Sequence, residues 1–211
     1  MILRCPPSLA PAALALVLAL AGAAPAVAAV VPPGTQLAAR QEMVRNNGAE
    51  PESLDPALIE SVNAAEIGRD LFEGLTSTDH HDNVVPGAAE SWKQTDATTW
   101  VFKLRKTAVW SNGQHVSADD FVYAWRRFLD PKTAATIAST YGVYLLNGLD
   151  VVNGKKPPTE LGVRAIDPLT LEVKTAGPVP YLLRVVSVAQ YAPQPRATIE
   201  KFGRDWTKPG K

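Results

Sequence analysis

Apolar residues recur at helical spacing between Ser61 and Leu75, where they occupy Ala64, Ile67, Leu71 and Phe72. This spacing predicts a helix, and Gly74 is placed to end it. Upstream, residues 42–47 are interpreted as a short first strand, which Gly48 and Pro51 punctuate.

The period changes from that of a helix to that of a strand between Glu90 and Arg105. Trp100, Phe102 and Leu104 fall on one face there, and the residues between them fall on the other. Two strands joined by a turn at residues 95–97 are therefore predicted. Residues 161–166 and 169–175 flank the turn Asp167-Pro168 and predict a second pair of strands.

The stretch WSNGQHVSADDFVYAW, residues 110–125, combines a turn with the start of a helix. Asn112-Gly113 is a strong turn signal, and Ser117 with Asp120 forms a variant of the capping box. An apolar stripe then predicts a helix that docks on the first hairpin and ends at Asp130-Pro131; the stripe comprises Phe121, Val122, Trp125, Phe128 and Leu129. The acids at the helix start are therefore interpreted first as capping groups, in preference to catalytic residues.

Three more helices are predicted at residues 133–146, 181–186 and 195–202, and the first is weakened by β-branched residues and Gly142. The mixture of strands and helices favours an α/β or α+β fold. Because the tryptophans fall at strand and helix starts, roughly four in five are expected in the core rather than on a stacking surface.

The N-terminal segment has the layout of a secretory signal peptide. Arg4 precedes an apolar run, residues 9–22, and small residues around Ala28 fit cleavage there. A retained membrane anchor is the alternative, although the run is short and contains Pro11. Cys5, the single cysteine, lies in the segment to be removed, so neither a disulfide nor a lipid-attachment cysteine is expected in the mature chain.

The charge of the mature chain is close to neutral. Loss of Arg4 with the signal leaves 20 basic and 21 acidic residues, a formal charge of −1. Nucleic acid is therefore not an expected partner. The sequence also lacks G-x-S-x-G, P-loop and G-x-G-x-x-G motifs, and three histidines leave little for a nucleophile and its base, so we expect a protein that is not an enzyme. A glycosidase, needing only two carboxylates across a cleft, is the alternative.

The run Asp79-His80-His81-Asp82 contains groups that bind zinc or nickel. Adjacent histidines in a strand point to opposite faces, however, so a solvated turn is the favoured interpretation. No metal and no cofactor are predicted.

Four stretches are informative when taken together: VRNNGAEPESLDP, IGRDLFEGL, the run from Ala89 to Pro131 and ELGVRAIDPLTLEVKTAGPVPYLL. Together they resemble the extracytoplasmic oligopeptide-binding proteins of ABC importers. The central run is the most specific, because its aromatic residues, Gly113 and Asp120 stand in the order that the family shows.

The resemblance implies a periplasmic-binding-protein type II-like α/β fold of the extended peptide-binder subclass. In that fold two lobes close on a ligand around a hinge, and one lobe is enlarged by an inserted domain. On this basis residues 1–28 are the signal peptide, 29–72 begin the first lobe, 73–195 form the inserted domain and 196–211 return to the first lobe. The second lobe is expected to be missing, which implies a fragment or a truncated gene and weak peptide binding.

The resemblance also implies where a peptide is held. The segment Ile59 to Asn63 matches the family's ligand-facing segment, with Glu60 as the acid, the backbone around Val62 as the pairing edge, and Ser61 and Asn63 beside them. A plain helix N-terminus capped by Ser61 is the alternative. At Ile137 the family's binders can carry a tyrosine, and Tyr141, one helical turn later, is the candidate replacement.

The resemblance finally implies a monomeric periplasmic receptor that captures oligopeptides and delivers them to a membrane permease. Binders of murein peptides or dipeptides are the nearest alternatives, and haem or nickel carriers are further ones.

Overall fold

The computed structural model describes residues 33–40 and 42–210, so the predicted signal peptide lies outside the described residues. The chain divides into two units after Arg45. In the described part of the first unit there is no helix or strand, and Met43 and Val44 are 85% and 99% exposed. The strand predicted at residues 42–47 is therefore wrong, because among the described residues no neighbouring strand pairs with this segment to form the hydrogen bonds of a sheet.

The described part of the second unit, residues 46–210, is built from short helices and antiparallel strands. In chain order these are α1 (Val62–Leu71), β1 (Thr76–Thr78), β2 (Val84–Pro86), β3 (Ala89–Gln94), β4 (Thr99–Leu104), α2 (Ala118–Leu129), α3 (Ala138–Gly142), α4 (Gly148–Val152), β5 (Val163–Asp167), β6 (Thr170–Lys174), α5 (Leu182–Val185) and α6 (Arg196–Phe202). Single 3₁₀ turns lie at Pro56–Leu58, Pro131–Thr133, Pro158–Glu160, Ala189–Tyr191 and Gly203–Asp205. None of the helices in the described residues has the length and apolar character needed to cross a membrane.

A four-stranded antiparallel sheet in the order β3-β4-β6-β5 forms the centre of this unit. Both predicted strand pairs are confirmed, and the two hairpins join because β4 pairs with β6, with Phe102 opposite Leu171. Trp100, Phe102 and Leu104 of β4 are buried while Lys103 between them is exposed, as the alternation predicted. β1 and β2 form a separate two-stranded sheet.

Helix α2 supplies the largest apolar face of the core, and all five residues of its predicted stripe are buried. Its start is capped as the sequence indicated, since the Asp120 carboxylate accepts hydrogen bonds from the Ser117 backbone N–H at 2.8 Å and from the Ser117 hydroxyl at 3.0 Å. The turn at Asn112-Gly113 is also confirmed: Gly113 has φ of +84°, and the Trp110 N–H donates to the Gln114 carbonyl.

Two predicted helices are shorter in the structure. α1 ends at Leu71 with Phe72 as its cap, so Gly74 does not end it. Gly74 instead lies where an added Cβ would be 2.5 Å from the Val186 carbonyl oxygen. Of residues 133–146 only Ala138–Gly142 is α-helical, because the left-handed Ala134 interrupts the first part and Gly142 packs directly on the backbone of Gly148.

The tryptophans are less uniformly buried than expected. Trp100, Trp125 and Trp206 are in the core, at most 8% exposed, while Trp92 and Trp110 are half-buried and pack against it. Their predicted role as core residues is confirmed for three of the five, and the other two cover the edge of the same core.

Candidate ligand-binding groove

A groove of about 400 Å³ brings together five of the six residues predicted to contact a ligand. Glu60, Ser61 and Val62 line it at the start of α1, and Ile137 and Tyr141 line it from α3 and the residue before it. We call this concavity the Glu60 groove. Its lining also includes Arg69, Ser77, Thr78, Asp82, Arg184 and Gln190.

Asn63, the sixth predicted residue, does not line this groove. It is the second residue of α1, and its side-chain amide lies 3.5 Å from the carbonyl oxygen of Ala49. Its side chain therefore reaches back to the segment that precedes the helix.

The start of α1 exposes main-chain groups beside the groove. Ser61 caps the helix through a hydrogen bond from the Ala64 N–H to its hydroxyl at 3.1 Å. Val62 is the first helical residue and its side chain is 74% exposed. The first N–H groups of a helix have no acceptor within the helix, and among the described residues no hydrogen bond from the Val62 N–H is found, so this group is available to an acceptor from outside. The predicted helix cap and the predicted pairing edge thus occur in one segment.

The Glu52 carboxylate holds this segment from the preceding loop. It accepts hydrogen bonds from the Glu60 N–H at 2.6 Å, the Ser61 N–H at 2.9 Å and the Ser61 hydroxyl at 2.5 Å. Slight burial alone would raise the pKa of Glu52, but these hydrogen bonds outweigh it and lower the pKa from 4.5 to about 2. Glu52 is therefore ionised throughout the physiological range.

Tyr191 lies in the core and supports the groove at Tyr141. Its hydroxyl donates to the Tyr141 carbonyl at 2.8 Å, and its own carbonyl accepts from the Trp125 indole N–H at 2.7 Å. The rings of Tyr141 and Tyr191 are 5.8 Å apart, edge to face. Burial raises the pKa of both phenols, so both are neutral hydrogen-bonding groups at physiological pH.

Charge in the groove is unevenly balanced. Asp82 and Arg184 neutralise each other at 2.6 Å, and Arg69 is 3.5 Å from Glu66. Glu60 forms no ion pair within the described residues. The arrangement therefore offers one carboxylate free to meet a cationic group of a ligand.

The run Asp79 to Asp82 forms a turn. The Asp79 carboxylate accepts from the Asn83 side-chain amide at 3.1 Å and from the N–H groups of Asn83 and His81, both at 2.9 Å, and these bonds lower the pKa of Asp79. Across residues 33–40 and 42–210, no group of three or more His, Cys, Asp or Glu side chains is placed to hold a metal ion. Asp82 instead orients Arg184 at the edge of the Glu60 groove.

A second concavity, of about 440 Å³, lies around Phe72, Trp110 and Trp206, and we call it the Trp206 groove. Its walls are mainly apolar, and its two charged residues, Glu73 and Arg105, pair with each other at 2.6 Å. Of the two, only the Glu60 groove combines an unpaired charge with free main-chain groups at a helix start.

Sequence reasoning missed several members of the Glu60 groove. Gln190 is 131 positions from Ile59, whose carbonyl accepts from its side-chain amide at 3.2 Å, and Arg184 is 102 positions from Asp82. No local pattern reveals such long-range pairs. Glu52 was also missed: it lies nine residues before the helix cap Ser61, and no spacing rule marks an acid at that distance as a partner of the cap.

The pattern of the bacterial extracellular solute-binding proteins, family 5 (middle region), matches residues 83–211. The chain is 51% identical over 186 residues to the periplasmic oligopeptide-binding protein OppA of Escherichia coli. The aligned residues cover 88% of this chain and 34% of that protein.

Solved structures agree in fold. The chain superposes on Haemophilus influenzae OppA in complex with the peptide RPPGFSPFR with a TM-score of 0.78 and 46% identity, over 82% of this chain and 34% of that one. It superposes on the Escherichia coli murein tripeptide binding protein MppA with a TM-score of 0.73 and 39% identity, over 76% of this chain and 32% of that one.

The chain therefore belongs to the family 5 bacterial extracellular solute-binding proteins, and its fold is that of the periplasmic-binding-protein class. It is similar to OppA and MppA in particular. It spans about a third of the length of the curated relatives it matches, which agrees with the expected incomplete fold.

Proposed function

We propose that the chain forms one wall of the peptide-binding cleft of a periplasmic receptor, which captures oligopeptides for an ABC importer. The observation that carries this proposal is the Glu60 groove, which gathers Glu60, Ser61, Val62, Ile137 and Tyr141 from separate segments. The similarity to OppA, including a structure in complex with a peptide, supports the same assignment.

The chemistry of the groove suits an extended peptide. Such a ligand brings N–H and C=O groups that need partners once water is excluded, and main-chain groups at Glu60 and Val62 supply them whatever the ligand's side chains are. Its charged amino terminus needs a carboxylate, and Glu60 has no competing cation among the described residues. Tyr141 and Ile137 add an apolar face, on which Tyr141 takes the place of the tyrosine expected at position 137.

The wider role follows from the family. The receptor performs no covalent chemistry, acts as a monomer and closes about a hinge, which is the event that its permease senses. Residues 29–72 and 196–211 belong to one lobe in this scheme and residues 73–195 to its inserted domain. The predicted signal peptide and the periplasmic relatives support a periplasmic location.

A murein tripeptide is the second ligand to test, because the chain is also similar to MppA. The groove does not separate the two ligands by charge alone, since both carry amino and carboxyl groups along a peptide backbone. The difference is measured as a ratio of affinities between an ordinary tripeptide and the murein tripeptide.

Calorimetric titration of the complete gene product with peptides of two to five residues tests the proposal. Micromolar affinity or better for at least one length is expected, which corresponds to about −8 kcal/mol. A single amino acid serves as the control and is expected to give no heat. Absence of binding to every peptide, with the murein tripeptide included, contradicts the proposal.

A further inference from the structure

Glu52 lies outside the Glu60 groove but holds the segment that forms its edge. Its two carboxylate oxygens accept three hydrogen bonds, from the Glu60 N–H, the Ser61 N–H and the Ser61 hydroxyl. We propose that Glu52 is a positioning residue for ligand capture: it fixes the Glu60–Val62 segment in its binding geometry before a ligand arrives. This inference rests on the proposed function.

The contacts determine which main-chain groups stay available to a ligand. The N–H groups of Glu60 and Ser61 are occupied by Glu52, and the Ile59 carbonyl is occupied by the Gln190 side chain at 3.2 Å. The Glu60 carbonyl accepts no hydrogen bond in the part of the chain that the structure describes. Glu52 thus removes two donors from the edge and leaves the Glu60 carbonyl as an acceptor and the Val62 N–H as a donor, so the segment presents one defined hydrogen-bonding pattern instead of several.

The segment has few other restraints on its exposed side. Glu60 is exposed and Val62 is 74% exposed, so burial contributes little to its order there, although Ile59 beside them is fully buried. A segment that is not held in place before a ligand arrives loses conformational freedom when the ligand binds, and that loss weakens affinity. Hydrogen bonds to an ionised acceptor are stronger than those to a neutral one, which favours Glu52 as the tether.

The chain offers a matched control in Glu50, an exposed acid two positions earlier that makes none of these contacts. Glu52→Ala removes the tether. Glu52→Gln keeps an oxygen that can accept the two N–H bonds but loses the charge. Its amide exchange rates and its affinity for trialanine are therefore expected to lie between those of Glu52→Ala and those of the wild type. Glu50→Ala changes net charge as Glu52→Ala does and leaves the tether in place.

Two measurements test the inference on the complete gene product. Amide hydrogen exchange of the ligand-free protein is expected to accelerate at Glu60 and Ser61 in Glu52→Ala and to stay unchanged in Glu50→Ala. The dissociation constant for trialanine is expected to rise about three- to tenfold in Glu52→Ala, as expected for ordering one short segment on binding, and to stay at the wild-type value in Glu50→Ala.

The outcomes separate this inference from the proposed function. Unchanged amide exchange in Glu52→Ala overturns the tether, and faster exchange with unchanged trialanine affinity overturns its role in capture. If the wild type binds no peptide at all, the proposed function fails and the binding role of Glu52 fails with it, while exchange in the free protein still reports whether the tether exists.

Discussion

Arg127 meets Asp55 in the interior through two hydrogen bonds, Nη1 to Oδ1 at 2.8 Å and Nη2 to Oδ2 at 2.5 Å. The Trp206 indole N–H donates to the same carboxylate at 2.9 Å, and Gln194 accepts from Arg127 at 2.6 Å. One buried acid therefore joins the segment before α1, helix α2 and the residues after α6. The pair stabilises the scaffold on which the Glu60 groove is built.

Replacing Asp55 with alanine is expected to lower the free energy of unfolding by about 3 kcal/mol or more, because it leaves the Arg127 charge without its partner carboxylate and the Trp206 N–H without its acceptor. Asp55 is only 3% exposed, so water does not replace the lost bonds. Urea unfolding followed by tryptophan fluorescence measures the change. Lys208→Gln, which removes an exposed ion pair at 2.7 Å, is the control and is expected to cost under about 1 kcal/mol. Equal effects of the two variants contradict the structural role of Asp55.

Gly74→Ala is expected to destabilise the chain by about 1–3 kcal/mol, because the new Cβ would lie 2.5 Å from the Val186 carbonyl oxygen and the backbone must shift. Gly177→Ala is the matched control, since nothing lies within 4 Å of its added Cβ. Thermal unfolding by circular dichroism compares the two. A melting temperature of Gly74→Ala equal to that of the control would show that Gly74 and the Val186 carbonyl are not in close contact.

Asp120→Ala is expected to lower stability by about 1 kcal/mol, because it removes the hydrogen bonds that cap α2 at Ser117. Asp119, the adjacent and exposed acid, interacts with the same helix start only through charge, so Asp119→Ala is expected to cost a few tenths of a kcal/mol. Urea unfolding of the two variants side by side makes the comparison. The reverse order of effects would be inconsistent with the capping role.

Much of the scaffold can be predicted from local sequence patterns, whereas much less of the Glu60 groove can be predicted in this way. The period of two in β4, the capping box at Ser117 and the stripe on α2 each depend on residues close in sequence, and the structure confirms them. The long helix predicted at residues 133–146 failed because its outcome is decided by the packing of Gly142 against Gly148, a contact between two segments. Periodicity carries no information on such contacts.

The candidate site shows the same division. The resemblance of residues 59–63 to a ligand-facing segment placed Glu60, Ser61 and Val62, and these residues do line one groove with Ile137 and Tyr141. Their contact with a ligand stays a prediction. The tether from Glu52 and the Asp82–Arg184 pair depend on folding of distant segments onto each other, so neither was visible before the structure.

The pKa of Glu52 predicts a pH dependence of the groove edge. Because the folded-state pKa is lowered from 4.5 to about 2, the contribution of Glu52 to stability is fully present above about pH 4.5 and is lost as pH falls through 2. Between pH 5 and 8 the tether is expected to be constant. The carboxyl carbon shift of Glu52, followed by NMR against pH, reports this titration. A midpoint near 4.5 would mean that the three hydrogen bonds do not persist in solution.

Amide chemical-shift mapping of the isotope-labelled protein during titration with trialanine determines which groove binds the peptide. The largest shift changes are expected at Glu60, Ser61, Val62, Ile137 and Tyr141, and residues of the Trp206 groove are expected to change little. Shift changes concentrated at Phe72, Trp110 and Trp206, with none at Glu60 to Val62, would contradict peptide binding in the Glu60 groove.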